Sequence, residues 1–512
     1  MTTSKNGDVV FQFPPRATRG ILLGFTLSQI VMVVSGVITA VIALNLLAAG
    51  RPGIAAALFA VTVTFIVLAL LRFKGRRLTE WLPIVAAALL QRGAGQSEYR
   101  GGPWAPNSVA EHMDLPGPAA GYRWVTAITA DGLTEAGLLV HSQERTVTAA
   151  LTCFGENLVL ADRDVQTRRL TDWAQLLNIL GADFTDQGLL RWAVTARAVP
   201  DTGNRAQRFL ANRAVETSSA AYRSLAELTA AAAPAAQRHD IHLSVVFDLA
   251  RLSGEIREGG GTDAALAASV LERLSGIEAA VAEAGVATGG WLSPRGFAAV
   301  LRTQFDPDDQ EAVDLRASTP PGGPGTAAGV APQLAGPVAA RTVGWTTYQH
   351  DSAFSRTLWV AQMPRQPVGA TWLTPLYMRT TCRRTVTLVA QPVPAGLAQL
   401  ATRREKVARA GDEVTKRKLR LVRTAREDDE ARAVEQIDRE QAAGHVRYRY
   451  ALMVAVTART LDGLNRDVQQ VRRILSRAGC EAVVLAGEQD QAFAAAALPL
   501  ARGLKPMRGW TA

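Results

Sequence analysis

Cysteine is scarce in this sequence. Its 512 residues include 3, namely Cys153, Cys382 and Cys480, and none belongs to a CxxC pair. That scarcity excludes a disulfide-stabilised scaffold and a local zinc knuckle, and it predicts that the soluble part lies in a reducing compartment. A composition of 48% hydrophobic and 20% charged residues further excludes a wholly disordered chain and a polytopic transporter.

The sequence also lacks the motifs of common catalytic sites. No lysine completes a GxxxxGK[ST] phosphate loop, no GxGxxG follows a predicted strand, and neither HExxH nor GxSxG occurs. We therefore predict no catalytic, cofactor-binding or metal-ligating residue, no cofactor and no enzymatic activity.

Two short motifs need a separate explanation. His239 and His242 form an HxxH pair at the head of a predicted strand, where an odd spacing directs side chains to opposite faces. The pair is therefore not predicted to bind a metal ion. An acidic cluster lacks the spacing of an EF-hand and is predicted to be a solvated loop; its members are Asp306, Asp308, Asp309 and Glu311. The DxD triplet within this cluster keeps a membrane-anchored α/β glycosyltransferase open as an alternative.

What the chain does have is a strongly apolar start. Residues 21–49 and 53–71 carry no charge and are separated by a Gly-Arg-Pro-Gly turn. About 20 apolar residues cross a bilayer, so the pattern predicts a transmembrane hairpin over 20–77, after a tail at 1–19. Cations flank the pair while the turn holds only Arg51; they are Lys5, Arg16, Arg19, Arg72, Lys74, Arg76 and Arg77. This distribution predicts a multi-pass protein of the cytoplasmic membrane with both termini in the cytoplasm.

The remaining chain alternates between strand and helix patterns. An interfacial helix and irregular connector are predicted over 78–121, and a first α/β lobe over 122–316. The charge-free, Pro- and Gly-rich segment 317–340 is predicted to be a flexible linker, and a second lobe follows over 341–512. The predicted fold class is thus α/β (α+β), with two mixed lobes in the cytoplasm after the hairpin.

Local matches between the halves predict an internal duplication. The stretch RTVT occurs after position 144 and again after position 383, and Phe-Ala-Ala recurs at Phe297 and Phe493. Such repetition predicts that the two lobes resemble each other.

The sharpest charge feature lies in a helix predicted over 395–443. Its basic residues, the candidate partner-docking set, are Arg403, Arg404, Lys406, Arg409, Lys416, Arg417, Lys418, Arg420, Arg423 and Arg426. An acidic run follows at 427–430. The helix could be a solvated one with i,i+4 ion pairs, or it could dock on an acidic partner, the membrane surface or nucleic acid. Direct nucleic-acid binding is disfavoured because no aromatic residues interleave with the charges.

Certain residues resemble a known family. The Phe11-Gln-Phe-Pro-Pro-Arg16 start before a two-helix hairpin looks like the PrgI-type inner-membrane subunit of Gram-positive conjugation systems. The region 384–502, with its run from Glu488-Gln489 to Leu498-Pro499, is similar to the non-motor amino-terminal part of conjugation and type IV secretion ATPases. The whole chain resembles actinobacterial integral membrane proteins that join these two parts.

This resemblance implies a non-catalytic scaffold of a conjugative, type IV-like secretion apparatus that recruits or orients a separate cytosolic ATPase. The implied partners are the bilayer, that ATPase and other channel subunits, with homo-oligomerisation left open. A type VII secretion subunit resembling EccE is the alternative within the same structural class.

Overall fold

The computed structural model describes most of the chain. The described residues are 2–3, 9–11, 13, 27–73, 76–93, 95, 97–101, 115–129, 135–155, 158–200, 204–213, 216–232, 236–318, 328–418 and 425–504.

Two apolar helices dominate the start of the described chain. The elements of this region are β1 (Thr2–Thr3), β2 (Val9–Val10), α1 (Leu27–Ala48), α2 (Pro52–Leu70), β3 (Arg72–Phe73), β4 (Arg76–Arg77) and α3 (Leu78–Gly93). Pro52 occupies the first turn of α2, where a missing N–H is tolerated, so the chain can restart a helix directly after Arg51.

The next elements form what we call the first half, 122–305, preceded by one edge strand. They are β5 (Glu98–Arg100), β6 (Tyr122–Ile128), β7 (Glu135–His141), β8 (Thr146–Phe154), α4 (Arg163–Gly181), α5 (Asp183–Asp186), β9 (Leu189–Pro200), α6 (Asn204–Arg213), α7 (Ala220–Ala232), β10 (Gln237–Asp248), α8 (Leu249–Glu258), α9 (Asp263–Glu283), β11 (Ala287–Trp291) and α10 (Pro294–Phe305).

Helix α11 (Gln310–Ser318) leads to the second half, 339–496. Its elements are β12 (Ala339–Val343), β13 (Thr347–His350), β14 (Ala353–Gln362), α12 (Thr374–Met378), β15 (Arg383–Pro392), α13 (Ala395–Lys418), α14 (Ala425–Ala442), β16 (Tyr448–Ala458), α15 (Leu461–Arg477), β17 (Glu481–Val484) and α16 (Gln489–Ala496).

Thirteen strands join in one antiparallel sheet. Its order is β5-β12-β13-β14-β16-β15-β9-β10-β8-β7-β6, with β11 added to β8 and β17 added to β14. The two halves meet where β9 pairs with β15, and Thr195 lies opposite Thr387 at that junction. The chain is therefore a mixed α/β fold built on a large antiparallel sheet, and the two predicted lobes share this sheet rather than each having its own.

Both halves follow the same strand order outward from the junction. The first half runs β9-β10-β8-β7-β6 and the second runs β15-β16-β14-β13-β12. This correspondence matches β8 with β14 and β9 with β15, so the RTVT stretches at 145 and 384 do not occupy equivalent strands. Phe297 and Phe493 do correspond, because each lies in the helix that follows the added strand, and both are buried in one core cluster.

Helices cover both faces of the sheet. On one face α10 and α16 form a core with residues from both halves. On the other face α4 and α9 cover the first half, and α15 covers the second. Helix α15 buries Leu464, Val468, Val471 and Leu475, whose spacing forms one apolar stripe, and Thr460 caps it by accepting a hydrogen bond from the Gly463 amide.

The second part of the predicted linker 317–340 is packed on the fold and is not a flexible segment. Residues 319–327 lie outside the described residues, but from position 328 onward the chain packs on the fold. Val330 and Ala335 are buried in the core shared by α10 and α16. The Pro- and Gly-rich composition predicted that this segment has no buried residues, whereas Val330 and Ala335 pack beside α10.

Candidate functional site

Helices α1 and α2 expose an unusually apolar surface. The window Val31–Ala48 of α1 has a mean hydropathy of 2.4 and is 11% buried, whereas the apolar stretch of α2, Pro52–Leu68, is shorter. Among the described residues α1 alone is long and apolar enough to count as a candidate membrane span, so the second predicted span is not supported by the same measure.

The two helices pack through small residues. Gly36 and Ala43 are buried on α1, and Ala55 and Thr62 are buried on α2, seven positions apart on each helix. The hydroxyls of Thr39 and Thr62 lie 2.9 Å apart and form a hydrogen bond between the helices. Small side chains permit close approach of helix backbones, and hydroxyl pairs stabilise it where lipid replaces water.

Both flanks of this helix pair contact the sheet region. Before α1, the Phe11 backbone exchanges two 3.0 Å hydrogen bonds with Val368, and the Phe13 ring packs against Trp372. After α2, Arg92 at the end of α3 donates to the Gly344 carbonyl at 2.8 Å and lies over the Trp345 ring. The chain thus leaves the sheet region, passes through α1 and α2, and returns to it.

The predicted docking residues lie on α13, with one on α14 and two between them. Arg403, Arg404, Lys406 and Lys418 are exposed, and Arg409 is half-buried. The other five, Lys416, Arg417, Arg420, Arg423 and Arg426, have side chains outside the described part. Lys406 Nζ forms a 2.5 Å ion pair with Asp438 of α14, so part of this positive charge is neutralised within the arm formed by α13 and α14.

The arm also presents an apolar stripe. Leu400, Val407 and Val414 of α13 recur every seven residues and are 50%, 72% and 54% exposed. Positions seven apart lie on one side of a helix, so the exposed cations and this stripe together form a surface suited to another protein.

Arginines pair with three members of the acidic cluster. Arg302 contacts Asp306 at 3.0 Å, Asp309 at 2.5 Å and Asp351 at 2.9 Å, and Arg459 pairs with Asp308. The Asp306 side chain is 16% exposed and departs from the predicted solvated loop, whereas those of Asp309 and Asp308 remain 41% and 52% exposed. The Asp306 and Asp308 oxygens that a glycosyltransferase would offer to a metal already accept hydrogen bonds from these arginines.

Sequence reasoning missed a polar cavity of about 210 Å³ on the sheet face covered by α10 and α11. Its wall includes Arg197 from β9, Arg238, Asp240 and His242 from β10, and Thr303 from α10. These residues are far apart in sequence, and β9 itself was not predicted, so no spacing could indicate the site. His239 also lines it, but no group of three metal-ligating side chains occurs within the described ranges.

Hydrogen bonds organise the arginines around one carboxylate. Arg197 donates to Asp240 Oδ2 from Nη2 at 2.6 Å and to Thr303 Oγ1 from Nη1 at 2.7 Å. Arg238 donates to the same Asp240 oxygen at 3.1 Å and to Asp314 at 2.7 Å. One carboxylate therefore serves two guanidinium groups.

A third guanidinium adjoins this wall. Arg383 of β15 donates to the Thr303 carbonyl at 3.0 Å. Burial, followed by the like charges of Arg197, Arg238 and Arg459, lowers the pKa of Arg383 to about 9. Burial and then Arg197 lower the pKa of His242 to about 4, whereas Arg197 and Arg238 outweigh burial and lower the pKa of Asp240.

Comparison with known proteins does not assign this fold to a family. No protein-family model matches the chain, and no curated protein matches it significantly.

Proposed function

We propose that this chain is a membrane-anchored scaffold, in which α1 and α2 cross the bilayer and the sheet with its helical arms holds other proteins at the cytoplasmic face. The observation that carries the proposal is the exposed apolar surface of α1. Lipid can surround such a helix, because its side chains are apolar and its backbone N–H and C=O groups form hydrogen bonds within the helix. At 1.5 Å per residue, 22 residues span about 33 Å, close to the hydrocarbon thickness of about 30 Å.

The contacts of both flanks support two crossings. Because Phe11 and Arg92 hold the chain to the same sheet region on either side of the helix pair, the number of membrane crossings is even. Helix α2 therefore crosses with α1, and its 19 residues span about 28 Å. Three arginines follow α2 while the turn holds Arg51 alone, so the sheet lies on the cytoplasmic side.

We further propose that the partners are a conjugation or type IV-like secretion ATPase and other channel subunits. The order of β15, the charged arm, β16, α15, β17 and α16 agrees with the order expected for the non-motor front part of those ATPases. The repeated strand order of the two halves supports an internal duplication of this unit. The α13–α14 arm, with its cations and apolar stripe, is the docking surface in this proposal.

Cysteine labelling tests the topology. The native cysteines are all buried, so a single introduced thiol can be read with a membrane-impermeant maleimide. We expect Arg51→Cys to react in intact cells and Arg403→Cys to react only after permeabilisation. Labelling of Arg403→Cys in intact cells, or protection of Arg51→Cys there, would overturn the proposed topology.

Co-purification tests the scaffold role. We expect a secretion ATPase to accompany the detergent-solubilised protein and to be lost from a variant carrying Arg403→Glu and Arg404→Glu. Arg223→Glu, a charge change at an exposed position of α7, between β9 and β10, is the matched control. Absence of any ATPase or channel subunit from the folded wild-type preparation defeats the proposal, while capture of type VII subunits instead would favour the EccE-like alternative.

A further inference from the structure

Charged or polar residues of the cavity wall correspond to apolar residues in the second half. Across the junction Thr195 lies opposite Thr387, and the positions two residues further along each strand are Arg197 and Val389. Arg197 lies opposite Asp240 in the sheet, whereas Val389 lies opposite Ala451. The same strand order is thus built without charges at this position in the second half.

The pair two residues along the same strands shows a similar difference between the halves. Thr195 lies opposite His242, whereas Thr387 lies opposite Met453. Met453 and Val389 belong to the core that also holds Phe297 and Phe493. Burying charges is costly unless they are fully compensated. The Arg197 side chain is 4% exposed and that of Asp240 is 22% exposed, so the first half places a partly buried ion pair where the second half has apolar side chains.

The charges in and around the cavity do not cancel. Three guanidinium groups, those of Arg197, Arg238 and Arg383, stand against the carboxylates of Asp240 and Asp314. Within the described part of the chain, the hydrogen bond found for the Arg383 guanidinium goes to a neutral carbonyl. Its charge is left without a carboxylate of its own.

One wall residue has unused hydrogen-bonding capacity. His242 is 5% exposed, lines the cavity, and its ring nitrogens have no hydrogen-bond partner in the described ranges. This imidazole is therefore available to an occupant of the cavity that accepts or donates a hydrogen bond.

We propose that the cavity binds a small oxyanion, a phosphate or a carboxylate. Its volume of about 210 Å³ is below the range of about 300–1,000 Å³ typical of sites for larger ligands, yet it holds such an ion with a few waters. Guanidinium groups match the geometry of both anions. Bound there, the anion supplies negative charge beside Arg238 and a partner for the imidazole of His242, and it lies near Arg383, which is outside the cavity lining and contacts Thr303 of the wall.

Titration calorimetry on the full-length, detergent-solubilised protein tests this site, with inorganic phosphate in one series and succinate in another. We expect saturable one-to-one binding of at least one anion, and the stronger series identifies its class. Arg383→Gln should weaken binding at least tenfold. His242→Met, which introduces the residue used at the equivalent position of the second half, should weaken it while keeping the core filled.

The matched control is Arg191→Gln. Arg191 precedes Thr195 by as many residues as Arg383 precedes Thr387, but it forms an ion pair with Glu144. This change removes one positive charge from the equivalent strand position and should leave affinity within twofold. Failure of the folded wild-type protein to bind either anion would overturn the proposal. Equal affinity in wild type, Arg383→Gln and His242→Met would do so as well.

Discussion

The two halves of the sheet share a strand order but differ in what they carry. At the junction Thr195 and Thr387 form a 3.2 Å hydrogen bond between their hydroxyls, and the strands are added outward in the same sequence on either side. Beside that junction the first half pairs buried Arg197 with half-buried Asp240, and the second places Val389 opposite Ala451. The features that the halves share are those that build the sheet, and the charges beside the junction are not among them.

The helical arms also differ between the halves, but here the second half carries more of the charges. The first-half arm between β9 and β10 consists of α6 and α7, with 10 and 13 residues. The second-half arm between β15 and β16 consists of α13 and α14, with 24 and 18 residues, and carries most of the predicted docking charges. The halves therefore differ in the interior of the first and on the surface of the second, the two regions in which we propose an anion site and partner docking.

The largest expected effects concern the paired phenylalanines. Phe297 and Phe493 are 0% and 1% exposed in the core shared by both halves, so truncation of either to alanine should lower the free energy of unfolding by about 3–5 kcal/mol. Denaturant unfolding of the two variants measures this. Phe209→Ala, at a 58% exposed position on α6, is the control and should cost less than about 1 kcal/mol. A loss below about 1 kcal/mol for either core variant would break the correspondence between the halves.

Replacing Arg197 and Asp240 by the valine and alanine found at the equivalent positions of the second half measures what this ion pair contributes to the free energy of unfolding. Asp240→Ala leaves the guanidinium groups of Arg197 and Arg238 without their shared carboxylate and should destabilise the fold by about 3 kcal/mol. Adding Arg197→Val reproduces the Val389–Ala451 pair and should recover about half of that loss. A double-mutant cycle from denaturant midpoints provides the measurement. If the double variant is as unstable as the sum of the two single variants, the apolar solution of the second half does not transfer.

Periodicity predicted several elements well. The strands predicted over 137–141, 146–153 and 448–458 and the helix predicted over 461–478 correspond to β7, β8, β16 and α15. The three strands are short, mainly apolar runs, and the helix has one apolar stripe. Strand β9 was missed. It buries Trp192 on one side and Ala193 on the other, but Arg191 and Arg197 interrupt its apolar run, so the sequence pattern did not indicate a buried strand.

The cavity could not be predicted for a related reason. The arginines that line it belong to β9 and β10, and only the pairing of β9 with β15 brings Arg197 near Arg383. Arginine is seldom buried without a partner, so an isolated arginine in a strand pattern reads as a surface residue. The docking charges were easier to find because they form one continuous run on a helix. A run of charges on one helix can be predicted from the sequence, whereas a site formed by residues of distant strands cannot.

The smallest of the three effects compares two histidines at equivalent strand ends, His141 and His350. His350 is fully buried between the Phe305 carbonyl and the Ser355 hydroxyl, and burial lowers its pKa to about 4; burial also lowers the pKa of His141. Because the unfolded chain, with a pKa near 6.5, takes up the proton first, stability is retained above about pH 6.5 and lost as pH falls towards 4. At pH 5 the loss from His350 should be about 2 kcal/mol. His350→Gln should therefore reduce the difference between denaturant midpoints at pH 7 and pH 5 more than His141→Gln does, and the reverse order would contradict the stronger burial in the second half.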